Sequence, residues 1–226
     1  MSSTEESELV LLGAWASMFS SRVEIALAEK GINYKYIEEE HVLDNKSPLL
    51  LKHNPVYKKI PVLIHKGKPI CESLIIVQYI DDTWKEGYPL LPSDPYLKSQ
   101  AAFWAHYVDK HIYQGAKLIW DSKGEGMQKG VEEFVGYLKV LERELGEKPY
   151  FNGESFGFVD IALISYYSHI IADERIGNFS IEKDCPKLFV WATQCMKRES
   201  VSKTLADPTK ICELLIEIRK KNGLED

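Results

Sequence analysis

The sequence predicts two domains of different class, an α+β domain followed by an all-helical one, and three observations carry the prediction. The hydrophobic period changes repeatedly from Leu9 to about Trp84, three prolines crowd residues 88–95, and beyond Pro95 the apolar residues recur at the helical period alone. With 226 residues, 45% hydrophobic and 27% charged, the chain has enough apolar material for a substantial core, which excludes disorder and a collagen-like repeat.

In the first domain, Leu9-Val-Leu-Leu12 is a short apolar strand closed by Gly13, and Val23 to Ala28 gives a helix that Gly31 can terminate. Asn33 to Glu38 alternates and reads as a second strand. Ser47-Pro48 starts a short helix, since proline is tolerated at the first helical position, and Asn54-Pro55 stops it. Pro61-Val-Leu-Ile64 and Pro69-Ile70-Cys71 flank a turn at Lys66-Gly67-Lys68, an antiparallel hairpin. Glu72-Ser73 then opens a helix running to about Trp84. The order βαβαββα, with only the last two strands joined tightly, describes a mixed sheet covered by helices on both faces, a thioredoxin-like order.

No helix crosses the prolines of Tyr88-Pro-Leu-Leu-Pro-Ser-Asp-Pro95, so the linker is expected there. Beyond it, Met127, Val131, Phe134, Leu138, Leu141 and Leu145 form one apolar stripe of an amphipathic helix. Similar stripes run around Leu97 to Trp120, Val159 to Ile171, Leu188 to Met196 and Ile211 to Ile218. The expected division is therefore residues 1–84, a linker at 85–95, and an all-α helical bundle over 96–226.

A net charge of −6 offers no broad positive field for a phosphate backbone, so nucleic acid is not an expected general partner. The four cysteines form neither a CxxC pair nor a ligand-spaced cluster with the six histidines, which argues against a structural metal site or a disulfide framework. The acidic start MSSTEESE lacks the basic and apolar parts of a secretory signal, and no apolar run approaches the roughly 20 residues of a membrane span, so a soluble cytoplasmic protein is expected.

Three stretches carry chemistry. The loop after the first strand, Ala14-Trp-Ala-Ser-Met-Phe-Ser20, holds Ser17 where a thioredoxin-like redox enzyme would hold cysteine. Ser17 either caps the following helix or donates a hydrogen bond to a bound thiolate that the helix dipole also favours. At Lys58-Lys59-Ile60-Pro61-Val62 the Ile60–Pro61 peptide is either an ordinary trans bond or a cis bond that turns the Ile60 backbone toward an extended ligand. Glu72-Ser73 either caps its helix or receives an α-amino-acid head group, Ser73 with the helix N–H groups taking the carboxylate and Glu72 the ammonium. Lys46 and Lys59 are solvated charges or partners for a second carboxylate. Cys71, next to Glu72, is given no role.

Together these residues resemble the glutathione transferases, most closely the plant tau class. Trp15-Ala-Ser-Met-Phe19 followed by Arg22-Val-Glu-Ile-Ala-Leu-Ala-Glu-Lys-Gly31 looks like that class's catalytic-serine loop and first helix, with Ala16 where a proline is usual. Asn45-Lys-Ser-Pro-Leu-Leu-Leu51, Asn54-Pro55, Lys58-Lys-Ile-Pro-Val-Leu-Ile64 and Cys71-Glu-Ser-Leu-Ile-Ile-Val-Gln-Tyr-Ile-Asp81 are similar to its glutathione-site segments. The similarity continues through Phe103-Trp104, Lys148-Pro-Tyr-Phe151 and Arg198-Glu-Ser200, over essentially the whole chain.

The resemblance implies that Ser17 is the catalytic hydroxyl, that Lys46 and Lys59 contact the glycyl carboxylate of glutathione, that the Ile60 backbone pairs with its cysteinyl unit, and that Glu72 and Ser73 take its γ-glutamyl end. It implies an electrophile site between the domains, lined by Trp15, Tyr113, Lys117, Trp120, His169, Leu214 and Ile218. Helix packing is the competing reading for Tyr113 and Trp120. The class often has arginine where Lys117 stands and tryptophan where His169 stands, and this chain carries an expansion of two residues around His41-Val42. Gly157-Phe-Val-Asp160 represents the family's structural N-capping motif, with Phe156 and Ile161 as a hydrophobic staple. The implied activity is conjugation of glutathione, the co-substrate, to hydrophobic electrophiles without a metal, with hydroperoxide reduction as a secondary activity and a homodimer as the assembly. The rival is a non-catalytic carrier of hydrophobic ligands; a thiol exchanger would need cysteine at position 17.

Overall fold

The computed structural model of the chain describes residues 9–40 and 45–224. The acidic N-terminal stretch and the expansion expected around His41-Val42 lie outside the described residues. The chain divides into two compact units, Met1–Leu90 and Leu91–Asp226.

In the first unit, β1 (Leu9–Gly13), α1 (Met18–Glu29), β2 (Lys35–Glu38), α2 (Pro48–His53), β3 (Val62–His65), β4 (Lys68–Cys71) and α3 (Ser73–Thr83) follow in the predicted order. The sheet runs β2-β1-β3-β4, with β1 and β2 parallel and the other pairs antiparallel. Side chains alternate between its faces. Val10, Leu12, Val62 and Ile64 pack on Leu50 of α2, while the fully buried Leu11 and Leu63 have the opposite parity, and α1 packs on α3.

Two elements differ from expectation in length. Ser17 caps α1 and so extends it a turn and a half before Val23. β2 starts only at Lys35, because its pairing with β1 begins at Val10↔Lys35. Two bonds tie down the end of α3: Lys30 reaches Asp81 in a buried ion pair of 2.7 Å, and the same carboxylate accepts from the Leu90 N–H at 2.9 Å.

The second unit is all helical: α4 (Pro95–Trp120), α5 (Glu125–Leu145), α6 (Phe158–Ile164), α7 (Tyr167–Gly177), α8 (Ile181–Asp184), α9 (Pro186–Met196), α10 (Glu199–Ser202) and α11 (Pro208–Lys221). Proline at the first turn of α4, α9 and α11 fits the missing donor there. The single stripe expected from Val159 to Ile171 is two helices. Ser165 donates back to the Ala162 carbonyl at 3.1 Å and the Tyr166 N–H turns to Leu163, which interrupts the regular ladder.

The start of α6 is a buried, hydrogen-bonded polar site. Asp160 is fully buried and accepts from the Gly157 N–H at 2.9 Å, the Phe151 N–H at 2.9 Å and the Trp191 indole at 2.8 Å. Glycine offers no side-chain oxygen in return, so this is half a capping box, flanked by the buried Phe156 and Ile161. Among the described residues no helix is long and apolar enough to cross a membrane.

Candidate functional site

The sheet register gathers the first unit's candidates. Leu12 pairs with Val62, Val62 with Cys71, and Gly13 with Glu38. The segment after β1 (Ala14 to Ser17), the segment before β3 (Ile60-Pro61), and the segment after β4 (Glu72-Ser73) therefore leave the sheet at one end. Three distant parts of the chain meet there because three strands are neighbours.

Ser17 is the N-cap of α1, and its Oγ accepts from the Ser20 N–H at 3.2 Å. Capping uses a lone pair, so the hydroxyl proton remains available to donate; the two readings open for this residue are compatible. Trp15 is half exposed beside it. The loop is braced at the Ala14 N–H by Ser20 Oγ (3.1 Å) and at the Trp15 N–H by the Glu38 carboxylate (2.9 Å). A Cβ on Gly13 would lie 2.9 Å from the Tyr36 hydroxyl and 3.0 Å from Ser20 Oγ, so only glycine lets both close on the end of β1.

Glu72 adopts φ +71° ahead of α3 and makes no side-chain capping bond, so its exposed carboxylate faces solvent. Ser73 is buried at the first position of α3, and its Oγ accepts from Arg22 Nη1 at 3.1 Å. Arg22 itself is wholly buried, with its guanidinium 5.2 Å from the centre of the Phe19 ring. Positive charge thus stands directly behind a helix N-terminus, which favours an anion in front of it.

The Ile60–Pro61 peptide is cis. Among the described residues the Ile60 backbone makes no hydrogen bond outside the strands, whereas its neighbours are engaged: Asn54 Nδ2 donates to the Lys59 carbonyl at 2.9 Å and Lys46 Nζ to the Lys58 carbonyl at 2.6 Å. The Lys59 side chain is exposed. Burial, aided by the Glu72 charge, pushes the Cys71 thiol up, which favours its protonated form.

In the second unit, Tyr113, Lys117 and Trp120 follow one another at helical spacing on α4, His169 lies on α7, and Leu214 and Ile218 lie one turn apart on α11. All six are half-buried. Lys117 pairs with Asp121 and lies 5.3 Å from the centre of the Trp120 ring. The buried Arg219 of α11 donates to the carbonyls of Ile119 (3.2 Å), Trp120 (3.3 Å) and Ser122 (2.8 Å), capping the end of α4 and fixing it to α11. Among the described residues no group of three or more His, Cys, Asp or Glu is placed to hold a metal ion.

Sequence reasoning assigned no role to the Arg22 or Glu38 side chain, and read Asn54 only as a helix stop within a segment similar to the glutathione-site segments. Arg22 carries a signal: a charge four residues before Ala26, on the buried side of α1, demands a partner. Glu38 carries none, because its role follows from strand register, and the Asn54 bond to the Lys59 carbonyl follows from a turn.

Comparison with known proteins follows the same division. The family described as Glutathione S-transferase, N-terminal domain matches residues 7–82, and Glutathione S-transferase, C-terminal domain matches residues 101–199. The chain is 55% identical over 218 residues to glutathione S-transferase U25 of Arabidopsis thaliana, covering 96% of this chain and 98% of the relative. It is 58% identical over 219 residues to a probable glutathione S-transferase of Nicotiana tabacum, again covering 96% and 98%. Among solved structures, rice GST1 in complex with glutathione superposes with a TM-score of 0.92 at 42% identity, covering 96% of this chain and 99% of that one. The tau class glutathione S-transferase of mango, Mangifera indica, gives 0.87 at 39% identity, covering 93% and 98%.

Proposed function

The chain belongs to the tau class of glutathione S-transferases, and on that premise we propose that the sheet end of the first unit binds glutathione, with Ser17 as its catalytic hydroxyl. The observation that carries the reading is the convergence of Ser17, Ile60 and Glu72-Ser73 on one sheet end, each with bonding capacity to spare. Ser73 accepts from Arg22 and keeps its proton for the γ-glutamyl carboxylate, while Glu72 takes the adjacent ammonium. The Ile60 N–H and C=O pair with the cysteinyl unit, and Lys46 and Lys59 neutralise the glycyl carboxylate.

A free thiol with pKa near 8.5 is mostly protonated at neutrality, and each unit of depression corresponds to about 1.4 kcal/mol. Ser17 donates to the sulfur and the start of α1 favours its charge; the thiol proton leaves to solvent, the sulfur forms a bond to the electrophilic carbon, and the leaving group departs with the electron pair. The acceptor is assigned to Trp15 beside Ser17 and to Tyr113, Lys117, Trp120, His169, Leu214 and Ile218 of the second unit. The same thiolate reduces an organic hydroperoxide to the alcohol, a second glutathione closing the disulfide with release of water.

Residues 85–95 act as the linker, and the protein works in the cytosol as a homodimer. The exposed Val56 and Tyr57 of the first unit and the exposed Tyr96 and Phe103 of the second are surface that a second copy would cover.

The test is conjugation of glutathione to chlorodinitrobenzene, followed by absorbance of the product. Ser17→Ala is expected to lower kcat/KM by about 10²-fold while glutathione affinity changes less than about threefold. Undiminished turnover in the alanine variant refutes the serine role, and tight ligand binding without turnover in the wild type establishes the carrier reading instead.

A further inference from the structure

We propose that Glu38 is a positioning residue for the transferase reaction: its carboxylate holds the backbone of the loop that carries Ser17 and thereby sets where the serine hydroxyl meets the sulfur. The inference rests on the reading of Ser17 as the catalytic hydroxyl and adds the group that fixes it in place.

Three backbone N–H groups of the loop are held. The Ser17 N–H donates to the Ala14 carbonyl at 2.9 Å and the Ala14 N–H to Ser20 Oγ at 3.1 Å, both local bonds within the loop and the first turn of α1. The third, from the Trp15 N–H to Glu38 Oε1 at 2.9 Å, is the one that reaches outside, to a residue 23 positions away on β2. Local bonds fix the shape of the loop; Glu38 ties that shape to the sheet, and the sheet also carries Ile60 and Glu72-Ser73. Beside the covalent link to β1 and the Arg22–Ser73 bond from α1, this bond therefore bears on the distance between the serine hydroxyl and the rest of the site.

The carboxylate is itself held. Glu38 pairs with Gly13 in the β1–β2 register, and Tyr36, two residues away, lies on the same face of that strand. The Tyr36 hydroxyl sits so close against Gly13 that a methyl group there would meet it at 2.9 Å. The strand register, with Tyr36 closed against Gly13, thus places Glu38 within reach of the Trp15 N–H.

Magnitudes separate a positioning role from a merely structural one. Glu38 and Trp15 are exposed, and a solvent-exposed bond of this kind contributes little to stability. A displacement of about 1 Å in a catalytic group costs up to ~10² in rate. Loss of Glu38 is therefore expected in turnover far more than in folding.

The experiment compares Glu38→Ala, Glu38→Gln, Ser17→Ala and the double variant Ser17→Ala/Glu38→Ala with wild type. It measures kcat and KM for both substrates, the melting temperature, and thiolate absorbance of bound glutathione against pH. Glu38→Ala is expected to lower kcat about tenfold and to move the bound thiol's ionisation toward its free value, with the glutathione KM within about threefold. Glu38→Gln keeps an oxygen that accepts the Trp15 N–H and is expected to recover most of the loss. In the Ser17→Ala background the second substitution is expected to cost less than about twofold, because both act through one hydroxyl.

Unchanged kcat and ionisation in Glu38→Ala, or a full tenfold loss in the Ser17→Ala background, overturns the positioning role while leaving the serine reading intact. Full turnover in Ser17→Ala removes the serine reading and this proposal with it. Where the alanine variant does not fold, Glu38→Gln is set against Glu38→Asp, whose charge is drawn back from the Trp15 N–H. Turnover in the order Gln above Asp supports the proposal, and the reverse order overturns it.

Discussion

At the sheet end of the first unit, Glu72, Lys59 and Trp15 are exposed, and the hydroxyls of Ser17 and Ser73 each accept one hydrogen bond and keep a proton to give. At the start of α6 in the second unit, Asp160 is buried and its two oxygens accept from three donors. Both constellations lie at a helix N-terminus and both contain a carboxylate, yet one has unspent bonding capacity at the surface and the other has none. Spare capacity that solvent reaches is what a ligand can use; capacity fully spent in the interior holds the fold.

The strongest way to break that contrast is Asp160→Ala. It leaves the Phe151 N–H, the Gly157 N–H and the Trp191 indole without their acceptor, at a cost on the order of 3–5 kcal/mol, a large share of the ~5–15 kcal/mol of a typical domain. Urea denaturation should show the loss, while glutathione affinity of the protein that remains folded stays within about twofold. A variant with normal stability but poor glutathione binding would mean that Asp160 belongs to a site after all.

The converse substitutions come next in size. Ser73→Ala and Glu72→Gln are each expected to weaken glutathione and S-alkylated glutathione alike by about tenfold, ~1.4 kcal/mol, because both ligands carry the same γ-glutamyl head group. Glu72→Gln, at an exposed position without a capping bond, should leave stability within about 0.5 kcal/mol. Ser73→Ala should also lower it modestly, since the buried Arg22 guanidinium loses an acceptor. Calorimetry with both ligands is the measurement, and equal affinities across all variants would reject the anchor.

What the sequence made legible follows from the same distinction. The hairpin turn at Lys66-Gly67, both at positive φ, the proline that opens α2, and the apolar stripe of α5 are local patterns, and local chemistry specifies them. The pairing of Arg22 with Ser73, 51 residues apart, and of Glu38 with Trp15, 23 apart, exists only because strands lie side by side. The break between α6 and α7 was hidden for another reason: Ile161, Ile164 and Ile170 keep an apolar run through it, so the period does not register a backbone carbonyl taken by Ser165.

A third carboxylate sharpens the comparison. Asp173 on α7 is as buried as Asp160, but neither oxygen has a hydrogen-bond partner among the described residues, and burial holds its pKa well above the ordinary carboxylate value. Burial also raises Asp160, to about 6, against the pull of its hydrogen bonds, and raises Glu24 to about 7. Groups raised in the fold bind more protons folded than unfolded, so stability from them is full below pH 4 and is lost as pH rises toward and past 7. Asp173→Asn removes the largest such liability. The variant is expected to match wild type near pH 4 and to exceed it by about 1 kcal/mol at pH 8. A difference that does not change with pH would show that Asp173 does not titrate as its burial requires.

The smallest expected effect concerns the acceptor residues proposed in the second unit. His169 is half-buried on α7, which packs on the α11 that carries Leu214 and Ile218 and on the α4 that carries Tyr113 and Trp120. An imidazole offers less flat apolar area than an indole, and aromatic contact of this kind is worth roughly 0.5–1.5 kcal/mol. His169→Trp is therefore expected to shift kcat/KM for bulky aromatic electrophiles about three- to tenfold relative to small ones, without moving glutathione affinity. The sheet-end residues predict the opposite signature, loss of glutathione binding across all acceptors, so a matched panel of small and bulky electrophiles separates the two units' contributions. If the ranking of acceptors is unchanged while glutathione affinity moves, His169 serves packing of α7 rather than acceptor recognition, and the aromatic residues of α4 carry that selectivity without it.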